Sequence, residues 1–247
     1  MGDGTSHMRK AELYDAFARI GKALASGKRL ELVDLLAQGE RSVDALAKAA
    51  GLNLTTASAH LQILRHAGLV TSRREGVRIY YRPAGRDVLA LFSLLRKVGQ
   101  AHLADVEAAR VGYLDHAGAE DGPPTTKSVG REGLLARMAA DAAIVLDVRP
   151  LEEYVAGHIP GALSIPVDQL AERLDELPDD AEVVVYCRGE YCVLAYDAVR
   201  LLHSRGRTAV RLREGMLEWR LAELPVATEA PGAPDRKPIG GRPRTGE

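Results

Sequence analysis

Both cysteines of this 247-residue chain lie in one six-residue run, from Cys187 to Cys192. The run follows the apolar residues 183–186 and precedes a helical pattern, which predicts a loop between a buried strand and a helix. In such a loop, backbone N–H groups and the positive end of the helix dipole point toward the first side chain. This environment favours a thiolate, so we predict covalent sulfur chemistry at Cys187, with Cys192 as a resolving thiol or second sulfur carrier.

Two structural interpretations compete with this chemistry: a pair of buried cysteines and a stabilising disulfide. The residues Arg188, Gly189 and Glu190 between the thiols favour an exposed turn over a core position. The low cysteine count, with no signal peptide and no long apolar stretch, predicts a cytoplasmic protein that does not enter a membrane. A permanent disulfide is rare in that reducing compartment.

Strand and helix patterns alternate through the second half of the chain. Strands are predicted at 144–146, 163–165, 183–186 and 209–212, and helices at a start near Glu152 and over 167–177, 192–205 and 216–222. This alternation predicts a parallel α/β sheet whose site lies at the carboxyl ends of the strands, where Cys187 falls.

Four ordered segments of this half resemble the single-domain rhodanese family. They are Asp147-Val148-Arg149, Gly157-His158-Ile159-Pro160-Gly161-Ala162, Tyr186-Cys187-Arg188-Gly189 and Gly215-Met216-Leu217-Glu218-Trp219. The resemblance covers residues 128–226 and implies a sulfurtransferase fold in which Cys187 carries a persulfide. It also implies that Asp147 and Arg149 shape the floor of the site, although a purely structural buried ion pair is the favoured interpretation of those two residues.

The length of the cysteine loop separates two chemistries on this fold. Phosphatases and arsenate reductases that resemble it carry a loop one residue longer that ends in Arg, whereas the six residues here suit a sulfane sulfur. Many rhodaneses that use thiosulfate have a basic or hydroxyl residue at the last loop position, which is Cys192 here. A thiol does not bind an oxyanion as a guanidinium does, so we expect a persulfide or polysulfide donor rather than thiosulfate. Arg188 either compensates in part or faces solvent.

The first half of the chain has a helical pattern that includes a helix-turn-helix. Helices are predicted over 30–36, over 43–50 with Ser42 as N-cap, and over 54–67 with Asn53 as N-cap after a turn at Gly51. The third helix is expected to read DNA with polar side chains: Thr55, Thr56, Ser58, His60 and Gln62.

A hairpin is predicted to follow the helix-turn-helix, with Glu75-Gly76 as its turn between 70–74 and 77–81. Between Arg65 and Arg86 there are six arginines and one acidic residue, although the net charge of the chain is only −1. This basic strip suits phosphate contacts, and a merely solvated surface is the alternative. The candidates for DNA contact here are Arg65, Arg73, Arg74 and Arg78.

Residues 9–115 resemble the ArsR/SmtB family of winged-helix repressors. The resemblance is carried by Leu46-Ala47 through Gly51-Leu52, Thr56 through Arg65, Ala67-Gly68-Leu69-Val70 and the hairpin ending at Tyr81-Arg82. It implies a homodimer paired through helices 11–25 and 88–114, and hence a palindromic operator in double-stranded DNA.

Two features of this sequence depart from that family: its metal sites and its base-contacting residues. Ser42 and Asp44 replace the cysteines of its metal site, and of a second site only His102, Asp105 and His116 are present, so no metal or other cofactor is expected. Leu54 and Ala59 replace residues that often contact bases in the family, which leaves Thr55, Ser58 and His60 as the best readers. The operator sequence does not follow from them.

The predicted organisation is a DNA-binding and dimerisation domain at 9–115, a linker at 116–127, a rhodanese-like domain at 128–226 and a disordered tail at 227–247. Residues 1–7 resemble a cloning remnant. The leading hypothesis is a repressor that senses a small sulfur donor through Cys187. An active sulfurtransferase that autoregulates its operon through another ligand, and a redox switch that uses only a Cys187–Cys192 disulfide, are the alternatives.

Overall fold

The computed structural model describes residues 3–115 and 127–228, which divide into two compact units on either side of the Leu95–Arg96 bond. Most of the predicted linker and tail, and His116, lie outside the described residues. The helices are α1 (Asp3–Leu24), α2 (Gly27–Gln38), α3 (Val43–Ala49), α4 (Leu54–His66), α5 (Arg86–His102), α6 (Ala104–Asp115), α7 (Arg131–Ala139), α8 (Leu151–Ala156), α9 (Val193–Ser204) and α10 (Met216–Leu221). The strands are β1 (Arg41–Ser42), β2 (Val70–Glu75), β3 (Arg78–Pro83), β4 (Ser128–Val129), β5 (Ala143–Asp147), β6 (Leu163–Ser164), β7 (Glu182–Tyr186) and β8 (Ala209–Leu212).

The helix-turn-helix of the first unit has the two predicted N-caps. The Ser42 hydroxyl accepts a hydrogen bond from the Ala45 N–H at 3.3 Å, and the Asn53 side chain accepts one from the Thr56 N–H at 2.8 Å. Each bond satisfies a donor that the first helical turn otherwise leaves unpaired. Leucines at helical spacing then bury one face of each helix: Leu32, Leu35, Leu36, Leu46, Leu61 and Leu64.

The predicted wing is a hairpin of β2 and β3, and β1 pairs with the other edge of β3. Glu75 pairs with Arg78, so the turn consists of Gly76 and Val77, one residue later than predicted. Gly76 has a φ of +60°, a left-handed conformation that glycine adopts without steric cost. The preference of glycine for that conformation therefore sets the register of the hairpin.

The prediction of a single last helix over 88–114 is wrong, because the chain forms α5 and α6 with an interruption at Leu103. The Leu103 N–H donates to the Gly99 carbonyl, and the Val106 N–H then donates to the Leu103 carbonyl in a tighter turn. Asp105 lies in the first turn of α6, where its negative charge favours a new helix N-terminus.

The second unit contains a five-stranded parallel sheet in the order β4-β8-β7-β5-β6, which confirms the predicted α/β fold. Asp147 is the register partner of Tyr186, so the ends of β5 and β7 lie together at the edge where Cys187 follows. Successive side chains along β7 point to opposite faces of the sheet. Val185 and Cys187 therefore pack against α9 on one face, whereas Tyr186 packs with Trp219 on the other.

The helix predicted over 167–177 is also wrong. The segment forms successive turns and a short 3₁₀ helix at Leu174–Glu176, with backbone bonds mostly of the i→i+3 type. The Arg207 guanidinium donates to the Leu177 carbonyl at 3.1 Å, which satisfies that carbonyl without an α-helix. Leu170 is buried as the apolar pattern required, but the pattern alone did not distinguish turns from a helix.

Candidate functional site

The cysteine loop connects β7 to α9, and both of its thiols are free. Cys187 is 2 % exposed, and its Sγ lies 3.5 Å from the Cys192 carbonyl oxygen and 3.7 Å from that of Gly189. Cys192 is partly buried and is the N-cap residue of α9. The loop therefore contains both cysteines, and Cys187 is the more buried of the two.

The two thiols have opposite electrostatic environments. Burial is the main cause that raises the pKa of Cys187, and its hydrogen bond with Cys192 raises it further. The same bond is the main cause that lowers the pKa of Cys192, to which the N–H groups of Arg188 and Leu194 contribute while burial opposes the shift. In the resting loop the negative charge is thus favoured on Cys192, whereas the sequence predicted it on Cys187. The difference arises from the burial of Cys187, which the loop sequence does not reveal.

The loop is backed by the start of α10, where two glycines meet. A Cβ on Gly215 would lie only 2.2 Å from the Gly189 nitrogen, so this approach requires glycine. The Met216 N–H donates to the Cys187 carbonyl at 3.2 Å, and the Gly215 N–H donates to the Glu218 carboxylate at 2.9 Å. The segment after Gly215 therefore shapes the back of the cysteine loop.

Arg188 extends away from the thiols toward α8. Its guanidinium donates to both carboxylate oxygens of Glu153 at 2.6–3.0 Å, and the Glu153 side chain is fully buried. A bidentate pair with a buried carboxylate fixes the guanidinium in one geometry. Glu153 was not among the sequence candidates, and its place in the acidic start of α8 is the only signal that marked it.

Asp147 and Arg149 form a salt bridge of 2.6 Å beneath the loop, and both side chains are 0 % exposed. The Tyr186 hydroxyl donates to Asp147 at 2.6 Å, and the Arg149 guanidinium also donates to the Gly157 carbonyl at 2.9 Å. Burial, followed by the Asp147 charge, raises the pKa of Tyr186, so the phenol stays a donor. This network links the ends of β5 and β7 to the segment after α8, and neither charged group is open to solvent.

The outer face of the loop contacts residues at the start of the second unit. The Arg96 guanidinium lies 4.6 Å from the centroid of the Tyr191 ring and 3.7 Å from the Glu218 carboxylate. On α6, Arg110 pairs with Glu107 and lies within electrostatic range of Glu190. None of these residues was a sequence candidate except Glu218, which belongs to one of the matching motifs.

Helix α4, which the sequence predicts to read DNA, presents part of the predicted set to solvent. Thr55 and Arg65 are exposed, and Thr56, Ser58 and His60 are partly buried. Gln62 differs, because its amide donates to the hydroxyl of Tyr81 at 3.1 Å. That contact ties α4 to the wing and occupies one of the two N–H donors that the Gln62 amide could offer to a base.

The three predicted wing arginines have different surroundings. Arg73 pairs with Glu40 and Glu75 and stacks over the Tyr80 ring at 4.6 Å. Arg74 donates to the Gly76 carbonyl at 3.0 Å and is exposed, as is Arg78. Arg78 and Arg74 therefore present their charge to solvent, whereas two carboxylates offset that of Arg73.

Within residues 3–115 and 127–228, no three His, Cys, Asp or Glu side chains lie close enough to bind a metal ion together. None of the helices within the same ranges combines the length and apolarity of a membrane span.

Two family profiles match the chain: the "Bacterial regulatory protein, arsR family" at residues 26–72 and the "Rhodanese-like domain" at residues 131–222. The chain is 56 % identical over 223 residues to the HTH-type transcriptional regulator Rv0324 of Mycobacterium tuberculosis, which covers 90 % of this chain and 95 % of that protein. It is 33 % identical over 100 residues to a sulfurtransferase of Allochromatium vinosum, covering 40 % of this chain and 92 % of that protein.

Solved structures resemble each half separately. The homodimeric winged helix-turn-helix domain of a possible ArsR-family regulator from Mycobacterium bovis is 61 % identical and covers 39 % of this chain and 90 % of that one, with a TM-score of 0.37. A rhodanese-related protein from Thermoplasma volcanium is 28 % identical and covers 42 % of this chain and 99 % of that one, with a TM-score of 0.38. Because the regulator from M. tuberculosis matches nearly end to end, the chain belongs to the HTH-type transcriptional regulators, with an ArsR-family HTH domain at residues 26–72 and a C-terminal rhodanese-like domain at residues 131–222.

Proposed function

We propose that this regulator is a cytoplasmic homodimeric repressor whose rhodanese-like domain takes sulfane sulfur from a small molecule onto Cys187 and thereby changes its affinity for operator DNA. The proposal is carried by the paired free thiols in the loop after β7, in the same chain as a capped DNA-reading helix. A persulfide donor RSSH would transfer its outer sulfur to the Cys187 thiol, leaving RSH and a Cys187 persulfide.

Exposed apolar side chains support the proposed dimer. On α1, Leu13 and Phe17 are 53 % and 60 % exposed, and on α5, Leu94 and Val98 are 58 % and 50 % exposed. Apolar stripes on these two helices suit pairing with a second copy. The relative from M. bovis is described as homodimeric. A two-fold dimer would bind a palindromic operator.

The surroundings of the thiols favour a persulfide or polysulfide donor over thiosulfate. The guanidinium of Arg188 is engaged by the buried Glu153 carboxylate, and the last loop position is Cys192. The loop thus lacks an available cation to pair with the anionic oxygens of thiosulfate. The soft sulfur of a persulfide needs only an attacking thiolate.

In the wing, replacing Arg78 by Ala is expected to weaken DNA binding at all sequences and to lower the salt dependence by about one per lost phosphate contact. The matched control is Arg73→Ala, whose charge two carboxylates already offset. Arg73→Ala is expected to weaken DNA binding less than Arg78→Ala does. The operator affinity of both variants is measured over a series of salt concentrations. Equal losses for the two variants would contradict the assignment of Arg78 as a phosphate contact.

Arg96 offers a route by which the loop influences α5. The second unit begins at this residue, which belongs to α5 and contacts Tyr191 and Glu218 beside the thiols. A persulfide or disulfide in the loop would shift Tyr191, because only three residues separate it from Cys187 and it directly precedes Cys192. We propose that Arg96 transmits this shift to α5, a helix of the proposed dimer.

An Arg96→Ala variant is expected to load sulfur normally but to lose most of the change in DNA affinity that the persulfide causes. Lys97→Ala, at the exposed neighbouring position, should keep the full response. The readouts are operator affinity with and without donor, and sulfur loading by mass spectrometry. If Arg96→Ala responds as the wild type does, this route is wrong.

The similarity to a named sulfurtransferase favours one alternative, an active enzyme whose DNA-binding domain responds to another ligand. Turnover distinguishes the two functions. A sensor is modified once per protomer, whereas an enzyme should pass sulfur to cyanide or a thiol at rates above about one cycle per second. Multiple turnovers without any change in DNA affinity would favour the enzyme.

A further inference from the structure

Arg211 is a buried arginine at the carboxyl end of β8. It is 6 % exposed, and no carboxylate within residues 3–115 and 127–228 lies within salt-bridge distance of its guanidinium. Arg149, the other buried arginine described in this unit, pairs with Asp147. Because a buried cation normally has a counter-ion, the exception at Arg211 points to an anion from outside the chain.

Only part of the Arg211 guanidinium is satisfied by the protein. Its Nη1 donates to the carbonyls of Leu212 at 3.1 Å and Arg213 at 3.2 Å, whereas its Nε is buried without a hydrogen-bond partner. Its Cζ lies 4.5 Å from the centroid of the Tyr196 ring. An aromatic face attracts the cation but does not supply the in-plane acceptor that Nε requires. The guanidinium therefore retains a donor that suits a planar oxyanion.

The position of Arg211 brings this donor close to the cysteine loop. Arg211 is the register partner of Val185 on the neighbouring parallel strand β7, and Cys187 follows Val185 by two residues on the same face. Strand spacing and rise put the Cα atoms of Arg211 and Cys187 about 8 Å apart. Because Nη1 bonds to the carbonyls of the next two residues, the Arg211 side chain extends toward the same carboxyl edge of the sheet as the thiols.

Tyr196 connects Arg211 to the other end of the loop. It lies four residues after Cys192, the N-cap residue of α9, so the two side chains are about one helical turn apart on one face of the helix. On α6, Arg110 lies within electrostatic range of the Tyr196 phenol, but Glu107 already pairs with it. The charge of Arg211 has no such carboxylate within the described residues.

We propose that Arg211 binds the carboxylate of the sulfur donor, and that the donor is therefore a small persulfide that carries a carboxylate, as the persulfide of a cysteine derivative does. This substrate class rests on the proposed function, in which Cys187 accepts sulfane sulfur. The carboxylate would accept from Nε and Nη2 in the plane of the guanidinium.

The separation between Arg211 and the thiols suits this donor better than thiosulfate. In a cysteine persulfide, a carbon chain separates the carboxylate from the terminal sulfur. In thiosulfate, the oxygens are attached directly to the inner sulfur. Because Arg211 lies outside the loop, on β8, it is placed for an anion that is carried some distance from the sulfane sulfur.

The test compares two donors that differ in one group: N-acetylcysteine persulfide and the persulfide of N-acetylcysteine amide. Mass spectrometry follows sulfur loading of Cys187 in the full-length protein, and each rate is divided by the rate of the same donor with a free thiol. The wild type should load at least about tenfold faster from the acid than from the amide.

Two variants assign this preference to a residue. Arg211→Met keeps an apolar stem but removes the guanidinium, so the acid-to-amide ratio should fall below about threefold. Arg205→Met removes the same charge from an exposed position at the other end of α9 and should keep the wild-type ratio. Trp219 fluorescence during urea unfolding verifies that Arg211→Met is folded.

Three results overturn the proposal, and they differ in what else they remove. Equal loading of the wild type from the two donors would remove the carboxylate site and leave the proposed function intact, because sulfur still reaches Cys187. A preference that persists in folded Arg211→Met would show that another group binds the carboxylate. Absence of sulfur on Cys187 from either donor would overturn the proposed function together with this substrate class. The wild-type comparison needs no variant, so a folding defect in Arg211→Met does not affect it.

Discussion

Replacement of Asp147 by Ala is expected to destabilise the rhodanese-like domain by about 3–5 kcal/mol, because it leaves the buried Arg149 charge without its carboxylate partner. The Tyr186 hydroxyl loses its acceptor in the same variant. Trp219 is the single tryptophan of the chain and is buried in this domain, so its fluorescence during urea unfolding reports the domain within the full-length protein.

The control for this substitution is Asp168→Ala, at an exposed position of the same domain, with an expected change within about 0.5 kcal/mol. A double variant, Asp147→Leu with Arg149→Met, removes both charges and should be less destabilised than Asp147→Ala. A loss below about 1 kcal/mol in Asp147→Ala would show that the salt bridge does not stabilise the floor of the site.

A Cys187→Ser variant is expected to bind operator DNA like the wild type and to show no response to a persulfide donor. The wild type should change its affinity by about 5- to 150-fold, the range of ordinary allosteric coupling, because only a sulfur at position 187 signals. Operator affinity is measured for both proteins with and without glutathione persulfide. Urea unfolding followed by Trp219 fluorescence verifies that the variant domain is folded.

A persulfide response that persists in Cys187→Ser would mean that Cys192 alone carries the signal, and the proposed role of Cys187 would be wrong. A response of the wild type to peroxide in the absence of any sulfur donor would favour the redox switch, which needs only the disulfide. The sulfur-sensing function requires that the wild type responds to the persulfide donor and that Cys187→Ser does not.

Local signals in the sequence predicted much of the fold. Ser42 and Asn53 precede helices with side chains that cap the first turn, and both caps are present. The alternation of apolar strands with helices is equally local, and it correctly predicted a parallel sheet with Cys187 at the carboxyl end of a strand. These features depend on neighbouring residues only.

The features that sequence reasoning missed depend on contacts between distant residues. Arg207 satisfies carbonyls 30 or more positions away, which removes the need for a helix over 167–177. Arg188 pairs with Glu153, 35 positions away, and no spacing rule links the two. Cys187 is buried by packing against α9, so the main cause of its raised pKa was invisible in the loop itself.

The predicted DNA-reading surface also contains side chains whose tertiary contacts the sequence did not reveal. Gln62 has the residue type and helical position of a base reader, but the Tyr81 hydroxyl on β3 accepts its amide hydrogen bond. Arg73 likewise belongs to the basic strip by sequence, whereas Glu40 and Glu75 pair with it in the fold. Residue type alone predicted which side chains belong to this basic and polar surface. The tertiary contacts then showed that Gln62 and Arg73 are engaged by other residues of the fold.

The most direct measurement is the affinity of the purified protein for its own upstream DNA at fixed salt, with and without a persulfide donor, while mass spectrometry follows the sulfur on Cys187. A sulfur-sensing regulator should show an affinity that changes at least about fivefold in step with loading. Full loading of Cys187 with unchanged affinity would contradict the account, and would mean that the rhodanese-like domain acts as an enzyme attached to a regulator that responds to another signal.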